Sequence, residues 1–305
     1  MKIDAHFHLI ERLRPFCGRG EGRSLGDGRA EFANGDIVRF IPEAYGADCF
    51  TAEMGIELMD RHGIDMAVVL QGVYYGLQNG YTMEMARKNP GRFYPVGSFD
   101  PFCNQSERIL DHLISDLGFR ALKFEISDYA GLHSFHPGFD IEGKEMRPVF
   151  ERANEEGMAI AFDVGGIGQG SYQIDGFARI TRLYPNVRFV MCHLLCPKSA
   201  DQDGWERDIK AMNPDNVWFD ISSLPSFISE KAPYSASVSY VKKAFRVVGG
   251  KRLLWGSDAP GILNRFPYAD ILEYFHDAVP ASALDDILGG NAVIAYAIPR
   301  RAARG

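Results

Sequence analysis

Two histidines near the start of the chain have the spacing of a pair of metal ligands. His6 and His8 end a short apolar run, residues 3–9, that has the composition of a β-strand. Because alternate residues of a strand point to the same side, the two imidazoles face the same way. Imidazole nitrogens are common ligands of zinc and related ions, so the pair could bind a divalent metal. Two packed or exposed histidines are the alternative interpretation.

Two further residues that could take part in chemistry end later apolar runs. Asp258 follows the run 253–257, and His193 ends the run 189–193. In a closed barrel of parallel strands the last strand lies beside the first, so the Asp258 carboxylate could reach a metal held by His6 and His8. Considered by itself, Asp258 could instead cap the helix that follows it. Cys192, adjacent to His193 and so on the opposite face, is interpreted as a buried apolar side chain.

Charged side chains also end two of the central runs. Asp163 lies near the end of the run 159–164 on the same face as two alanines, which leaves room for a carboxylate at the end of the strand. Lys123 lies near the end of the run 121–126, and His133 and His136 follow in the loop beyond. We predict that Lys123, His133 and His136 contact substrate, although each is also a common surface residue.

The elements that must position these side chains are short strands separated by helices. Runs this apolar are typical of strands buried on both faces of a parallel sheet. Helical patterns such as 106–117 and 146–156 lie between them. Eight strands alternating with helices over 305 residues predict an α/β fold, the (β/α)₈ TIM barrel. An open doubly wound sheet is the alternative, but no Gly-x-Gly-x-x-Gly motif opens a helix after a strand. The runs are residues 3–9, 66–71, 93–99, 121–126, 159–164, 189–193, 217–221 and 253–257.

The longest interval between runs follows the first strand. Residues 12–50 are rich in glycine and arginine and have no periodicity, so we expect a long irregular loop inserted into a single domain, residues 1–305. Long loops are often functional, and this one is either a solvated loop or a lid over the mouth of the barrel.

Composition excludes several classes of protein. Hydrophobic residues make up 46% of the chain and charged residues 24%, which excludes intrinsic disorder. The net charge of −7 argues against a nucleic-acid partner, and no apolar run reaches the ~18 residues of a membrane span. With five irregularly spaced cysteines and no signal peptide, we expect a cytoplasmic protein with reduced thiols.

Taken together, the motifs at the strand ends resemble the amidohydrolase superfamily, in the amidohydrolase-2 branch related to aminocarboxymuconate-semialdehyde decarboxylase. The matches occur in the family's order and span nearly the whole chain. They are Ile3-Asp-Ala-His6-Phe-His8, Phe189-Val-Met-Cys-His193-Leu, Val217-Trp-Phe-Asp220-Ile-Ser, Leu254-Trp-Gly-Ser-Asp258-Ala-Pro and Ile287-Leu-Gly-Gly-Asn291-Ala.

The resemblance implies a distorted barrel that holds one divalent metal, most commonly zinc. His6, His8 and Asp258 would be ligands, and His193 would act beside the metal as an acid, a base or a polarising group. A homo-oligomer is expected by analogy with the family.

The chain departs from the family pattern on the fifth strand, where a metal-binding histidine is usual and Asp163 stands instead. We predict that Asp163 replaces the imidazole as a ligand. An added oxygen ligand makes the site harder, so manganese or iron(II) become credible beside zinc. The alternative partner of the Asp163 carboxylate is Lys123.

These observations predict a metal-dependent hydrolase of a small, carboxylated substrate such as a lactone or an amide, with His193 and Asp258 as catalytic residues. The metal would polarise a water or a carbonyl group. A non-oxidative decarboxylase would use the same ligands on the same scaffold. A metal-free or inactive barrel that binds a metabolite is the third alternative, and Asp163 is the feature that favours it.

Overall fold

Eight parallel strands alternate with helices in the computed structural model, which describes residues 1–198, 202–212 and 214–299. Four further strands belong to the insertion after the first strand. In chain order the strands are β1 (Ile3–Phe7), β2 (Phe16–Cys17), β3 (Gly20–Ser24), β4 (Arg29–Phe32), β5 (Ile37–Arg39), β6 (Met66–Val69), β7 (Phe93–Pro95), β8 (Ala121–Glu125), β9 (Ala159–Asp163), β10 (Arg188–Met191), β11 (Val217–Asp220) and β12 (Leu253–Leu254).

Helices connect successive barrel strands, as the parallel arrangement requires. The α-helices are α1 (Ala52–Arg61), α2 (Asn79–Lys88), α3 (Ser106–Asp111), α4 (Arg147–Glu156), α5 (Ile174–Leu183), α6 (Gln202–Ala211), α7 (Leu224–Phe227), α8 (Ser235–Val248), α9 (Tyr268–Glu273), α10 (Ala281–Asp285) and α11 (Asn291–Ala295). Helix α3 continues as a π-helical turn, His112–Asp116. Within the described residues, no helix combines the length and the apolar character that crossing a membrane would need.

The barrel closes through two contacts between sheets. One sheet has the order β1-β6-β7 and the other β12-β11-β10-β9-β8. A parallel bridge between Gly97 and Leu122 joins the segment after β7 to β8, and a bridge between Phe7 and Ala259 joins β1 to the segment after β12. The last and first strands thus lie side by side, and the (β/α)₈ prediction is confirmed.

Side chains alternate between the barrel interior and the surrounding helices. Inward positions of β8 and β9 carry small residues such as Ala121 and Ala161, both fully buried. Outward positions carry large ones: the Phe162 ring lies 5.0 Å from that of Phe177 on α5. Full burial of one such side chain contributes ~1.5–3 kcal/mol, which anchors each helix against its strand. Small side chains inside leave room for polar groups at the carboxyl ends of the strands.

The insertion is not the irregular loop predicted for residues 12–50. It folds into an antiparallel four-stranded sheet, β2-β3-β4-β5. On β4, Ala30 and Phe32 are buried while Arg29 and Glu31 are partly exposed, so the expected alternation is present but covers only four residues. Four residues is the shortest stretch over which alternation indicates a strand, and β2 and β5 are shorter still.

Main-chain contacts hold the insertion against the loops that follow β6 and β8. The amides of Phe16 and Arg14 donate to the carbonyl oxygens of Val73 and Tyr75. The amide of Gly18 donates to Ser134 Oγ at 2.8 Å. Both loops leave the carboxyl ends of barrel strands, so the insertion lies at the end of the barrel where enzymes of this fold have their active sites.

Candidate metal centre and active site

A cavity of about 450 Å³ opens at the carboxyl end of the barrel. Strand ends supply most of its polar lining, because a parallel barrel brings all its carboxyl ends to one rim. The structure brings five of the predicted site residues together there, along with Lys123; the five are His6, His8, Asp163, His193 and Asp258.

His6, His8 and Asp258 have ligand atoms that all lie within 4.8 Å of one another. Asp258 Oδ1 lies 3.1 Å from His8 Nε2 and 3.6 Å from His6 Nε2. Zinc bonds of ~2.0–2.1 Å at tetrahedral angles place ligand atoms ~3.3–3.4 Å apart. The spacing therefore suits three ligands of one small cation.

Hydrogen bonds on the far side of each imidazole decide which nitrogen can bind a cation. His6 Nδ1 lies 3.0 Å from Asp220 Oδ2, and His8 Nδ1 lies 3.1 Å from the carbonyl oxygen of Leu70. A neutral histidine that donates through Nδ1 keeps a lone pair on Nε2. Two lone pairs then face the carboxylate of Asp258, an arrangement that is repulsive unless a cation lies between them.

Burial reinforces the neutral state of the second imidazole. It lowers the pKa of His8 to about 4, and the opposing attraction of Asp258 does not offset this. Histidine ligands that donate their other nitrogen to a carboxylate or carbonyl oxygen are characteristic of metal sites, where the outer partner fixes the ring orientation. The donor set and its surroundings fit a divalent metal.

A second group of potential ligands is less suited to a metal. His6, His193 and Asp220 also have ligand atoms within 4.8 Å of one another. However, Asp220 is fully buried and does not line the cavity. Its Oδ1 already accepts hydrogen bonds from the amides of His193 and Ser222. The lone pairs of the Asp220 carboxylate are therefore already used in hydrogen bonds within the protein.

Asp220 contacts two of the predicted site residues, although the sequence assigned it no role. It ends β11 and holds His6 through one oxygen and His193 through the other. Ser222 Oγ lies between the two imidazoles, 3.2 Å from His6 Nδ1 and 2.8 Å from His193 Nδ1. Its position at a strand end, the criterion that identified Asp258, could have pointed to Asp220 as well.

A left-handed backbone conformation orients several of these side chains. The φ angles of His193, Ser223 and Asp258 are 54°, 55° and 69°, in a region that residues other than glycine seldom adopt. Such conformations cost ~1–3 kcal/mol each and cluster at functional sites. Here the amide of His193 is held by Asp220, and Ser223 Oγ donates to Asp258 Oδ2 at 2.5 Å.

Asp163 pairs with His193 rather than with His6, His8 or Asp258. Its Oδ2 lies 3.3 Å from His193 Nε2, and its Oδ1 accepts from the amide of Gly165 at 3.1 Å. Among the residues that the structure describes, Asp163 belongs to neither group of potential metal ligands. Its role as a ligand stays a prediction from the sequence, and the geometry favours a different one.

This pairing changes the protonation of both partners. Burial alone would lower the pKa of His193, but the Asp163 carboxylate outweighs it and raises that pKa to about 10. Burial would raise the pKa of Asp163, but the His193 imidazolium holds it well below its usual range. Both ring nitrogens of His193 face acceptors, which suits a protonated imidazole.

Lys123 is a buried cation of the cavity wall with its own partner. Its Nζ lies 3.3 Å from Glu125 Oε2, so the alternative of an Asp163–Lys123 pair is not the arrangement observed. Burial, with the nearby Asp163 carboxylate, raises the pKa of Glu125 to about 7 despite the lysine. Glu125 also lines the cavity and accepts from Ser127 Oγ at 2.5 Å.

The structure does not bring the other two predicted substrate contacts into the cavity. His133 Nδ1 lies 3.0 Å from Asp128 Oδ1, and His136 Nε2 lies 2.9 Å from Asp100 Oδ2. Neither histidine lines the cavity. Asp128, in the same loop, and Asp100, in the loop that follows β7, hold the two rings, so we leave both histidines out of the proposed site.

Solved structures of similar fold include hydrolases and decarboxylases. An amidohydrolase from Burkholderia multivorans, crystallised with bound zinc, has a TM-score of 0.71 at 16% identity over 98% of this chain and 100% of that one. A probable 2-pyrone-4,6-dicarboxylic acid hydrolase from Acinetobacter baumannii, with citric acid bound, has a TM-score of 0.68 at 14% identity over 97% and 99%. A 5-carboxyvanillate decarboxylase from Sphingomonas paucimobilis has a TM-score of 0.55 at 16% identity over 81% and 86%.

At these identities the likeness establishes the fold. A comparison with curated proteins finds no significant match. The family model described as Amidohydrolase matches residues 3–298, nearly the full length. The chain belongs to the amidohydrolase family, as its strand-end motifs predicted.

Proposed function

We propose that this protein is a metal-dependent hydrolase of a small carboxylated substrate, such as a lactone or an amide. One divalent ion, zinc in the first place with manganese or iron(II) as alternatives, would be held by His6, His8 and Asp258. The observation that carries the proposal is the convergence of two imidazole Nε2 atoms on the Asp258 carboxylate, with both outer nitrogens already engaged.

A divalent metal at this position would act as a Lewis acid that polarises the carbonyl group of a bound substrate. The surrounding residues account for the proton movements. Asp258 accepts a proton from the water that adds to the carbonyl carbon, while Ser223 holds its other oxygen. His193 donates a hydrogen bond to the oxygen that becomes negative. When the C–O or C–N bond of the substrate breaks, the proton that Asp258 accepted passes to the oxygen or nitrogen that leaves.

Two lysines support a substrate with a negative charge. Lys123 and Lys198 both line the cavity. Lys123 already contacts Glu125 at 3.3 Å, whereas Lys198 is exposed and forms no ion pair with any residue that the structure describes. A carboxylate of the substrate near Lys198 would point its opposite end toward the ligand residues.

A decarboxylase is the second candidate, and the position of His193 favours it. His193 lines the cavity, and Asp163, 3.3 Å from its Nε2, favours the protonated imidazole, which could give a proton to carbon. In that reaction the bond between carbon and the carboxylate breaks, carbon dioxide leaves, and the electron pair takes up the proton. The reaction requires the same ligands and a substrate whose carboxylate lies near the metal instead of near Lys198.

The test combines both assays on one preparation. Zinc-loaded protein is incubated with a panel of lactones and amides, and hydrolysis is measured as proton release. The same preparation is incubated with hydroxybenzoates, and decarboxylation is measured as release of carbon dioxide. The hydrolase proposal predicts turnover in the first panel that disappears in the His8→Ala variant and after chelation. Carbon dioxide release alone would favour the decarboxylase. Turnover that survives both treatments would contradict a metal-dependent reaction of either kind.

A further inference from the structure

An arginine of the insertion lies over the rim of the cavity. Arg19 is in the turn between β2 and β3, and its guanidinium carbon lies 4.3 Å from the centroid of the Tyr129 ring. The same group lies 5.6 Å from the ring of Phe32, and Nη1 is 3.5 Å from Asp36 Oδ2. Only 20% of the Arg19 side chain is exposed. It therefore joins the insertion to the loop after β8.

Aromatic rings extend this connection down to the proposed ligands. Tyr74 and Tyr75 line the cavity with Tyr129. Phe32 of the insertion stacks on Tyr74 with ring centroids 6.2 Å apart, and Phe40 lies 5.8 Å from Tyr75. The Tyr75 ring in turn lies 4.7 Å from the imidazole of His8. One wall of the cavity is thus supported from outside by the insertion.

Tyr129 is the least enclosed member of this wall. Tyr129 is 54% exposed, and its ring contacts Arg19 and the Tyr74 ring, whose centroid lies 5.9 Å away. A cation over an aromatic ring shifts an equilibrium by ~2- to 5-fold at exposed sites and by more when water is excluded. Loss of the guanidinium would release Tyr129 from the rim without removing any residue of the metal centre.

We propose that Arg19 sets the width of the cavity mouth, as a positioning residue that determines the size of the molecules admitted to the site. It acts through Tyr129 and touches none of the proposed ligands. The inference concerns access to the cavity, so it stands apart from which reaction the site performs.

A buried thiol inside the cavity can report the width of the mouth. Cys196 lines the cavity and is 3% exposed, with Sγ 3.8 Å from Asp163 Oδ1. In a parent protein with Cys49→Ser and Cys103→Ser, the remaining cysteines are all buried. Cys196 is alkylated with a small reagent, iodoacetamide, or a bulky one, N-phenylmaleimide. Peptide mass spectrometry measures the rate of labelling by each reagent. Burial raises the pKa of Cys196, so only a small fraction of the thiol is ionised. This lowers the rates of both reagents by the same factor, so the ratio of the two rates is unaffected.

The variants are Arg19→Met, Arg19→Lys and a matched control, Arg23→Met. Arg23 lies on β3, is 74% exposed and pairs with Glu31 at 2.7 Å. We expect Arg19→Met to raise the rate ratio of bulky to small reagent about fivefold. Arg19→Lys should give an intermediate ratio, and Arg23→Met should behave as the parent.

The same experiment can overturn the proposal in two ways. A change of less than twofold in the Arg19→Met ratio, including no labelling of Cys196 in either protein, would show that Arg19 does not set the width. Labelling of Cys17, buried in the insertion, at a rate that rises as much as that of Cys196 would show that the insertion has detached. Arg19 would then have a structural role only.

Discussion

Replacing Asp220 with asparagine should weaken metal binding without removing a ligand. The amide oxygen of Asp220→Asn can still accept from the amides of His193 and Ser222. The amide nitrogen, however, would face His6 Nδ1, where the carboxylate oxygen now lies at 3.0 Å. An NH₂ group there donates, so His6 must accept through Nδ1 and carry its proton on Nε2. That proton occupies the position from which His6 would bind the metal.

The size of the effect follows from what is lost. Removing a hydrogen-bond partner of a ligating histidine typically reduces metal affinity ~10- to 100-fold, about 1.4–2.8 kcal/mol. Replacing a ligand outright should cost considerably more, so Asp258→Asn should bind zinc far more weakly than Asp220→Asn. Competition for Zn²⁺ with a chromophoric chelator measures both affinities. Thermal denaturation of the metal-free proteins checks that each variant folds.

Asp215→Asn is the matched control. Asp215 is fully exposed and pairs with Arg252, so its variant should bind zinc as the parent does. If Asp220→Asn retains the parental affinity within twofold while Asp258→Asn loses it, Asp220 does not orient a ligating His6. If instead Asp220→Asn loses affinity as severely as Asp258→Asn, Asp220 is itself a ligand, and the choice between the two groups of potential ligands is wrong.

Three other substitutions test separate parts of the site. His193→Asn should leave about one metal per chain while lowering turnover ~10²- to 10⁴-fold, the range for a lost acid or base, and loss of metal would make His193 a ligand. Asp163→Asn should likewise retain its metal, because its carboxylate holds His193, and should lower turnover; a fall in metal content by elemental analysis would restore the ligand role predicted from the sequence. Gly256→Ala would place a Cβ 2.6 Å from His6 Cβ and N, so it should cost ~1–3 kcal/mol of stability and reduce zinc affinity. Gly80→Ala, where a Cβ meets nothing within 4 Å, is its control, and equal zinc affinities for the two variants would refute the argument.

The strands were predictable from sequence because burial on both faces leaves continuous apolar runs. The positions of His6, His8 and Asp258 at strand ends were predictable for the same reason, since a closed barrel brings those ends together. The insertion was not, because β2 and β5 have only two and three residues and the longest strand, β3, has the sequence Gly-Glu-Gly-Arg-Ser, with no apolar side chain to alternate.

Contacts between distant segments account for the other differences. The bond between His6 and Asp220 joins residues 214 positions apart, and periodicity contains no information about such a pair. Asp163 was expected to contact a metal or Lys123, but the left-handed turn at His193 brings that imidazole to it instead. His133 was expected in the cavity, but Asp128, five residues earlier, holds its ring away.

The central claim is that one divalent ion lies among His6 Nε2, His8 Nε2 and Asp258. Crystals of the zinc-loaded protein, measured on both sides of the zinc absorption edge, locate the ion directly. We expect one anomalous peak in the cavity at bonding distance, ~2.0–2.2 Å, from each of these three side chains. A peak bonded to Asp220 or Asp163 instead, or no peak in the cavity of protein crystallised with excess zinc, would contradict the account.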